Sequence, residues 1–277
     1  MRNGQWRRQW GWLSGLWLLL VVSPGAAQPW WRPDVRVLET LQAGQVNWTD
    51  SLVLSRERAT SASRRTADAA ISTTATQAAR QRLLTVLTEV RLDASRLLGA
   101  VVQESPALRQ ALEEAVADAE VYEMHYFPGG IVESAVQLPL RGRFMTLLLP
   151  ANAIPSGGAD EPSPAAVYTG VVIDARGLAI QSALLPRIVD ESGQTLYAPE
   201  VVDPVLAAQR GYIAYAHAFD RTPTQERIGT NPLVLRAHRI SGETRVDLVL
   251  RSTDAAQLRD YPTTQRLLQR CQVLIVR

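Results

Sequence analysis

The chain has 277 residues, three histidines, one cysteine and 29 basic side chains, all of them arginine. Its formal charge of +2 falls to −1 once residues 1–27, with three arginines and no acids, are set aside, so no basic stripe is expected and nucleic acid is excluded as a partner. Without lysine there is no Schiff base, phosphate-loop lysine or Ser–Lys nucleophile, and one thiol closes no internal disulfide.

Residues 1–27 read as a secretory signal: Arg2, Arg7 and Arg8, an uncharged apolar run from Trp10 to Val22, then Pro24-Gly25 and Ala26-Ala27. Cleavage after Ala27, a periplasmic destination and no transmembrane span in the mature chain are expected, because the run is shorter than the roughly 20 residues a spanning helix needs. No cysteine follows it, so no lipid anchor is expected. Residues 28–42, with Trp30, Trp31 and two prolines, read as an irregular lead-in.

A first domain is expected over 43–150. In "AGQVNWTDSLVL", residues 43–54, every even position from Val46 except Asp50 is apolar, which predicts one half-buried strand. Residues 62–90 predict a long helix whose apolar stripe includes Ala67, Ile71, Ala75, Ala78, Ala79, Val86, Leu87 and Val90. The small residues in its first half would let a sheet approach closely. A shorter helix is expected from Asp93, burying Leu97, Leu98, Val101 and Val102, and another from Ser105-Pro106, a cap followed by proline at the first helical position.

"VYEMHYFPGGIVESAVQL" reads as a hairpin with a three-residue loop at Pro128-Gly129-Gly130. That register sets Phe127 opposite Ile131, Tyr126 opposite Val132, His125 opposite Glu133 and Tyr122 opposite Val136. A further apolar run follows at 143–149. Residues 151–166, "ANAIPSGGADEPSPAA", are a Pro/Gly/Ala linker.

A second domain is expected over 167–277. It opens with the strand "YTGVVIDARG", followed by a hairpin of Arg187–Val189 with Thr195–Tyr197 and a short helix from Asp203-Pro204 to a stop at Gly211. "YIAYAHAF" is read as a strand. "NPLVLRAHRISGETRVDLVL" is a hairpin turning at Ser241–Thr244, which sets His238 opposite Asp247. Ser252 or Thr253 is expected to cap the next helix, and Cys271 to lie, inert and buried, in the final strand "CQVLIV". The fold class is therefore α+β: a long helix on a small antiparallel sheet, a linker, then a second mixed α+β domain rich in hairpins.

Two of the three histidines thus face a carboxylate, His125 with Glu133 and His238 with Asp247. Such a pair is two-thirds of a hydrolytic triad, but no serine stands in a G-x-S-x-G elbow, and cross-strand pairs of this kind are common sheet decoration. Both are read as structural pairs. The histidines and the cysteine lack metal-ligand spacing, and Asp160-Glu161 and Asp190-Glu191 are too sparse for calcium. No cofactor or metal is expected. Asp174 and Arg176, at the end of a hydrophobic strand, with Arg187 as a second cation, are the candidate ligand-binding residues.

Gly44, Val46, Trp48, Ala78, Ala79, Arg80, Leu83 and Leu84, in the order strand, alanine-rich helix, hairpin, carry a resemblance over residues 43–150. The segment resembles exported bacterial modules of the twenty-kilodalton lipoprotein type, also found in the N-terminal part of the flagellar assembly protein T family. It departs from them at Ser55–Arg58, where those modules continue with alanine and glycine, and in having no lipid anchor. Residues 167–277 resemble a region found behind that module in exported bacterial proteins of unknown role. The resemblance implies non-catalytic contact with envelope or flagellar basal-body proteins and a long helix lying on an antiparallel sheet. It places Trp48 as a packing residue on the sheet face under the alanine-rich stripe.

The expected function is accordingly that of a non-enzymatic periplasmic assembly protein. The alternatives are a small-ligand or glycan-binding module around Asp174 and Arg176, and a hydrolase using His238 and Asp247.

Overall fold

The computed structural model describes residues 36–61, 69–150, 168–218 and 222–277. The signal, Trp30 and Trp31, the linker and the start expected for the long helix lie outside them.

Strands β1 (Leu38–Thr40), β2 (Gln45–Asn47), β3 (Leu52–Thr60), β4 (Glu120–Phe127) and β5 (Ile131–Pro139) form an antiparallel sheet in the order β1-β2-β3-β5-β4. The expected irregular lead-in thus already contains β1. The expected single strand over 46–54 is two strands, because Asn47 makes a turn. Its Oδ1 accepts from the amides of Thr49 and Asp50, and its Nδ2 donates to Asp50. An Asn side chain that satisfies the amides two and three residues on competes with the ladder and reverses the chain. Strand β3 then runs through Ser55–Arg58 to Thr60.

Helix α1 (Ala69–Glu89) covers one face of this sheet with Ala75, Ala79, Leu83, Val86 and Leu87. The small residues do bring it close: Ser55 donates its hydroxyl to the carbonyl of Ala79 at 2.6 Å, and Thr76 and Ser134 exchange a hydroxyl bond at 2.9 Å. Gly44, just before β2, packs against both β3 and α1. A Cβ there would stand 2.3 Å from the carbonyl oxygen of Leu54 and 2.7 Å from Val86. Gly44→Ala is therefore expected to lower the unfolding free energy by about 1–3 kcal/mol, as overpacking does, measurable as a fall in the urea midpoint at unchanged slope.

Helix α2 (Leu98–Glu104) starts later than expected. Asp93 caps no helix; its Oδ1 accepts from the amides of Ser95 and Arg96 and its Oδ2 from the Arg96 guanidinium, closing a local turn. Leu98 is buried, whereas Leu97 is exposed. Helix α3 (Pro106–Ala117) begins as read, with Ser105 Oγ accepting from the amide of Leu108, and buries Leu108, Ala111, Leu112 and Val116. The run after Pro139 is helix α4 (Arg143–Leu148), which buries Phe144 and Met145.

The second sheet is mixed and seven-stranded. Strands β6 (Val171–Asp174), β7 (Ile188–Asp190), β8 (Thr195–Tyr197), β9 (Ala214–Ala216), β10 (Leu233–Ser241), β11 (Asp247–Leu250) and β12 (Val273–Val276) lie in the order β8-β7-β11-β10-β6-β12-β9. Strands β10, β6, β12 and β9 are mutually parallel; β10 and β11 form an antiparallel hairpin, and β11 is parallel to β7. The central strands are buried on both faces, as continuous runs such as Val171–Ile173 and Val273–Val276 require. Helix α5 (Pro204–Arg210) starts and stops as read. Asp203 accepts from the amides of Val205 and Leu206, and Gly211 follows at φ 79°. Helices α6 (Thr222–Ile228), α7 (Ser252–Arg259) and α8 (Pro262–Gln269) complete this half. Neither Ser252 nor Thr253 caps α7, whose N-cap is Arg251; the Ser252 hydroxyl donates to Glu191 instead.

Side chains from the two sheets meet in one core. Trp48, at the turn after β2, is buried. Its indole N–H donates to Glu39 at 2.6 Å, and its ring meets Tyr215 edge-on at 5.7 Å. It is a packing residue, but the ring contact lies with the second half of the chain. Backbone bonds join the halves too, from the amides of Leu184 and Leu185 to the carbonyls of Arg91 and Leu92. Among the described residues no helix is long and apolar enough to cross a membrane.

Candidate functional site

The face of the five-stranded sheet away from α1 carries Arg56 and Arg58 on β3, Glu133 on β5, and Tyr122, Glu123, His125 and Phe127 on β4. His125 does lie opposite Glu133 in the ladder, and Phe127 opposite Ile131. The Glu133 carboxylate, only 7% exposed, is taken by β3: Arg58 Nε donates to it at 2.5 Å and Arg56 Nη1 at 3.0 Å. Burial alone would raise its pKa, but the bonds and charges of Arg58 and Arg56 outweigh that and hold it below the usual carboxylate range. His125 pairs instead with Glu123, Nε2 to Oε1, at 2.7 Å. The expected His125–Glu133 pair is corrected to a network in which two arginines hold Glu133 and Glu123 is shared by His125 and Arg56.

Tyr122 is not opposite Val136. The ladder steps from Val121↔Val136 to Glu123↔Ala135, leaving Tyr122 as the extra residue of a β-bulge. The bulge turns the Tyr122 hydroxyl to Arg56 Nη2, 2.9 Å away, beside Glu123. Arg58 lies over the Phe127 ring, 4.9 Å from its centroid.

In the second sheet Asp174 and Arg176 close on each other. The guanidinium donates to both carboxylate oxygens at 2.9 and 2.7 Å, and the Arg176 amide adds a third bond. The Arg176 side-chain bonds are the largest reason the Asp174 carboxyl sits below its ordinary pKa. This pair organises the exit of β6, and a ligand would have to displace Arg176 to reach Asp174. Arg187 is not brought to it; Arg187 donates to Thr195 across the β7–β8 hairpin. Arg176 lines an open groove of about 470 Å³ with Arg236, His238, Arg251 and Asp254.

His238 and Asp247 do not face each other. Asp247 lies opposite Ser241, and the ladder shifts between Ala237 and Arg239, which puts His238 in a bulge. The turn is longer than its sequence suggests because its residues are used elsewhere. Val246 is buried, the Thr244 hydroxyl donates to the carbonyl of Ala94, and the carbonyl of Arg245 accepts from Gln181. Asp247 accepts from the Arg187 amide at 2.9 Å, and burial raises its carboxyl above the ordinary value. His238 Nδ1 accepts from Arg251 at 3.4 Å, and its Nε2 lies 3.9 Å from Glu191. His217 Nδ1 lies 3.0 Å from the carbonyl oxygen of Arg277.

Cys271 precedes the final strand, in the turn after α8, at φ 56° and fully buried. Burial pushes its thiol up to about 11, so thiolate chemistry is disfavoured there. Among the described residues no group of three or more His, Cys, Asp or Glu side chains could hold a metal ion.

Strand β4 stands at one margin of the first sheet. Among the described residues its one ladder partner is β5, it is eight residues long, and it carries Val121, Tyr126 and Phe127 at 38%, 61% and 39% exposure. Apolar side chains exposed together at a sheet margin mark a surface suited to contact with another protein. Tyr126 and Phe127 are the exposed aromatic residues of this strand. They lie at the sheet margin, where Tyr126 reaches the end of α1 through a 3.3 Å contact with Ser72.

Residues 170–277 match a family model described as the second domain of Treponema pallidum Tp0624. The matched span holds the whole seven-stranded sheet and none of the five-stranded one. No curated protein matches the chain.

Proposed function

We propose that this chain is a non-enzymatic, exported assembly protein of the cell envelope that works through protein–protein contacts, with the flagellar base as the first setting to test. The observation that carries the reading is the margin strand β4, eight residues long with three exposed apolar side chains. The secretory pattern of residues 1–27 and the resemblance of residues 43–150 to envelope and flagellar modules support the setting. The polar groups considered for chemistry support the non-enzymatic part: Asp174 holds Arg176, Glu133 holds two arginines, and Asp247 holds the Arg187 amide.

Affinity capture from envelope fractions tests this. The wild-type chain is expected to recover outer-membrane, cell-wall or basal-body proteins, and Tyr126→Arg, which places a charge on the exposed edge, is expected to recover clearly less. Recovery of free soluble proteins alone would sink the assignment.

A further inference from the structure

Strand β6 stops at Asp174, but its parallel neighbour β10, whose Arg236 is level with Asp174, runs on to Ser241. Past the end of β6 the chain turns through Gly177, at φ 83°. The groove of about 470 Å³ is lined by that turn, by Arg236–His238 of β10, and by Arg251 and Asp254 at the start of α7. We propose that this groove binds a small polyhydroxylated acid, its carboxylate or phosphate held by Arg236 and Arg251 and a hydroxyl by Asp254. The inference goes beyond the assembly reading and does not depend on it.

Position and size are those of a ligand site. Ligands of open parallel sheets sit outside the carboxyl ends of the strands, where the strand order reverses direction. Strand β6 is that point here: the chain next adds β7 and β8 on one side of it and β9 on the other. The volume falls within the roughly 300–1,000 Å³ of small-molecule sites.

The lining is built locally. Strand β10 alternates, burying Leu233, Leu235 and Ala237 and exposing Arg236 and His238. Leu250 lies opposite Ala237, which delivers Arg251 beside His238. A β-bulge, of the kind found between Ala237 and Arg239, is a common device for re-aiming a side chain beside a functional site.

The distribution of charge selects the ligand. Arg176 is already neutralised, because its guanidinium takes both oxygens of Asp174. Arg236 is exposed and makes no hydrogen bond or ion pair among the described residues. Arg251 gives only its Nε, to His238 Nδ1 at 3.4 Å, which leaves both Nη groups. Glu191, 3.9 Å from His238, spends its Oε2 on the amide and hydroxyl of Ser252. Two planar guanidinium forks with unspent donors match an oxyanion bidentately, and such charge-assisted bonds are about twice as strong as neutral ones. Asp254 has the opposite preference: its carboxylate repels a bare anion and accepts from a hydroxyl. The site therefore favours an acid that carries hydroxyls over inorganic phosphate.

Calorimetric titration of the full chain with glucose 6-phosphate, glucuronate, inorganic phosphate and glucose tests this. At least one of the two sugar acids is expected to bind, more tightly than inorganic phosphate, and glucose is expected not to bind; the acid that binds identifies the oxyanion. Arg236→Gln and Arg251→Gln should each weaken that binding about tenfold, the loss of one charge-assisted bond. Arg239→Gln, at an exposed arginine of the same strand outside the groove lining, should bind as wild type. Asp254→Ala should narrow the gap between the sugar acid and inorganic phosphate. Thermal unfolding of each variant confirms that it folds. Failure of both sugar acids to bind overturns the proposal, as does glucose binding equally well. Equal weakening by all three arginine substitutions also overturns it, since diffuse surface charge would then suffice. Inorganic phosphate binding as tightly as the sugar acid removes the part given to Asp254. None of these outcomes bears on the β4 surface, which the capture experiment decides.

Discussion

Trp48→Ala is expected to lower the unfolding free energy by about 3–5 kcal/mol, the range for deleting a buried tryptophan. Three losses combine. The indole leaves a void in the core shared by the two sheets, beside Ser51, Leu140, Met145 and Tyr212. Its edge-on contact with Tyr215 disappears, a contact of a type worth about 0.5–1.5 kcal/mol beyond area burial. Glu39, which accepts the indole N–H at 2.6 Å, loses that donor. Trp48→Phe is the milder change, because it keeps an aromatic ring while removing the N–H donor and part of the indole's volume. It should cost about 1–2 kcal/mol. Urea unfolding followed at both tyrosine and backbone signals checks the pair, and a Trp48→Ala chain as stable as wild type would remove Trp48 from the core account.

The second large effect is expected at Arg227, on α6. Among the described residues its guanidinium bonds to three backbone carbonyls and no carboxylate: Nη1 donates to Gly211 at 3.2 Å and to Cys271 at 2.7 Å, and Nη2 donates to Arg210. Two of those carbonyls close the end of α5, where the helix dipole favours a cation. The third belongs to the turn that delivers the chain into β12. Desolvation lowers the guanidinium's pKa below an ordinary arginine's, so the site tolerates the charge only because the carbonyls surround it. Arg227→Met keeps much of the volume and leaves the carbonyls without a donor, at an expected cost of about 2–4 kcal/mol. Arg227→Lys should recover only part, since one ammonium cannot reproduce the planar fork. Equal stability of the methionine variant and wild type would contradict this.

Local chemistry was legible where a side chain acts within its own turn. Ser105 caps α3, Asp203 caps α5 and Gly211 ends it, and the Pro128–Gly130 loop sets Phe127 against Ile131, all as the residues imply. The α+β class follows from the same patterns. Illegible features depend on residues far apart in the chain. His125 faces Glu133 correctly, yet Arg56 and Arg58 reach that carboxylate from a distant strand and leave His125 to Glu123. The alternation of Arg56, Glu57 and Arg58 after an apolar run was the available signal, and it pointed to a departure from a family pattern, not to a network. His238 misses Asp247 because Val246 is drawn into the core and Thr244 reaches Ala94 in the first half. Asn47 shows a different failure: the apolar alternation across 46–54 is real, but one side chain's claim on two amides outweighs it.

The placement of β6 has a kinetic consequence. Its two neighbours are β10, joining at Leu233, and β12, joining at Val273, so neither flank is supplied by an adjacent segment. Topologies dominated by such distant pairings lose loop entropy before any ladder forms and fold slowly. During that interval Val171–Ile173, bare on both sides and wholly apolar, is the stretch most exposed to trapping by other unfinished chains. Refolding yield should therefore fall with concentration well before native stability changes, a burden of its wiring and not of its contacts.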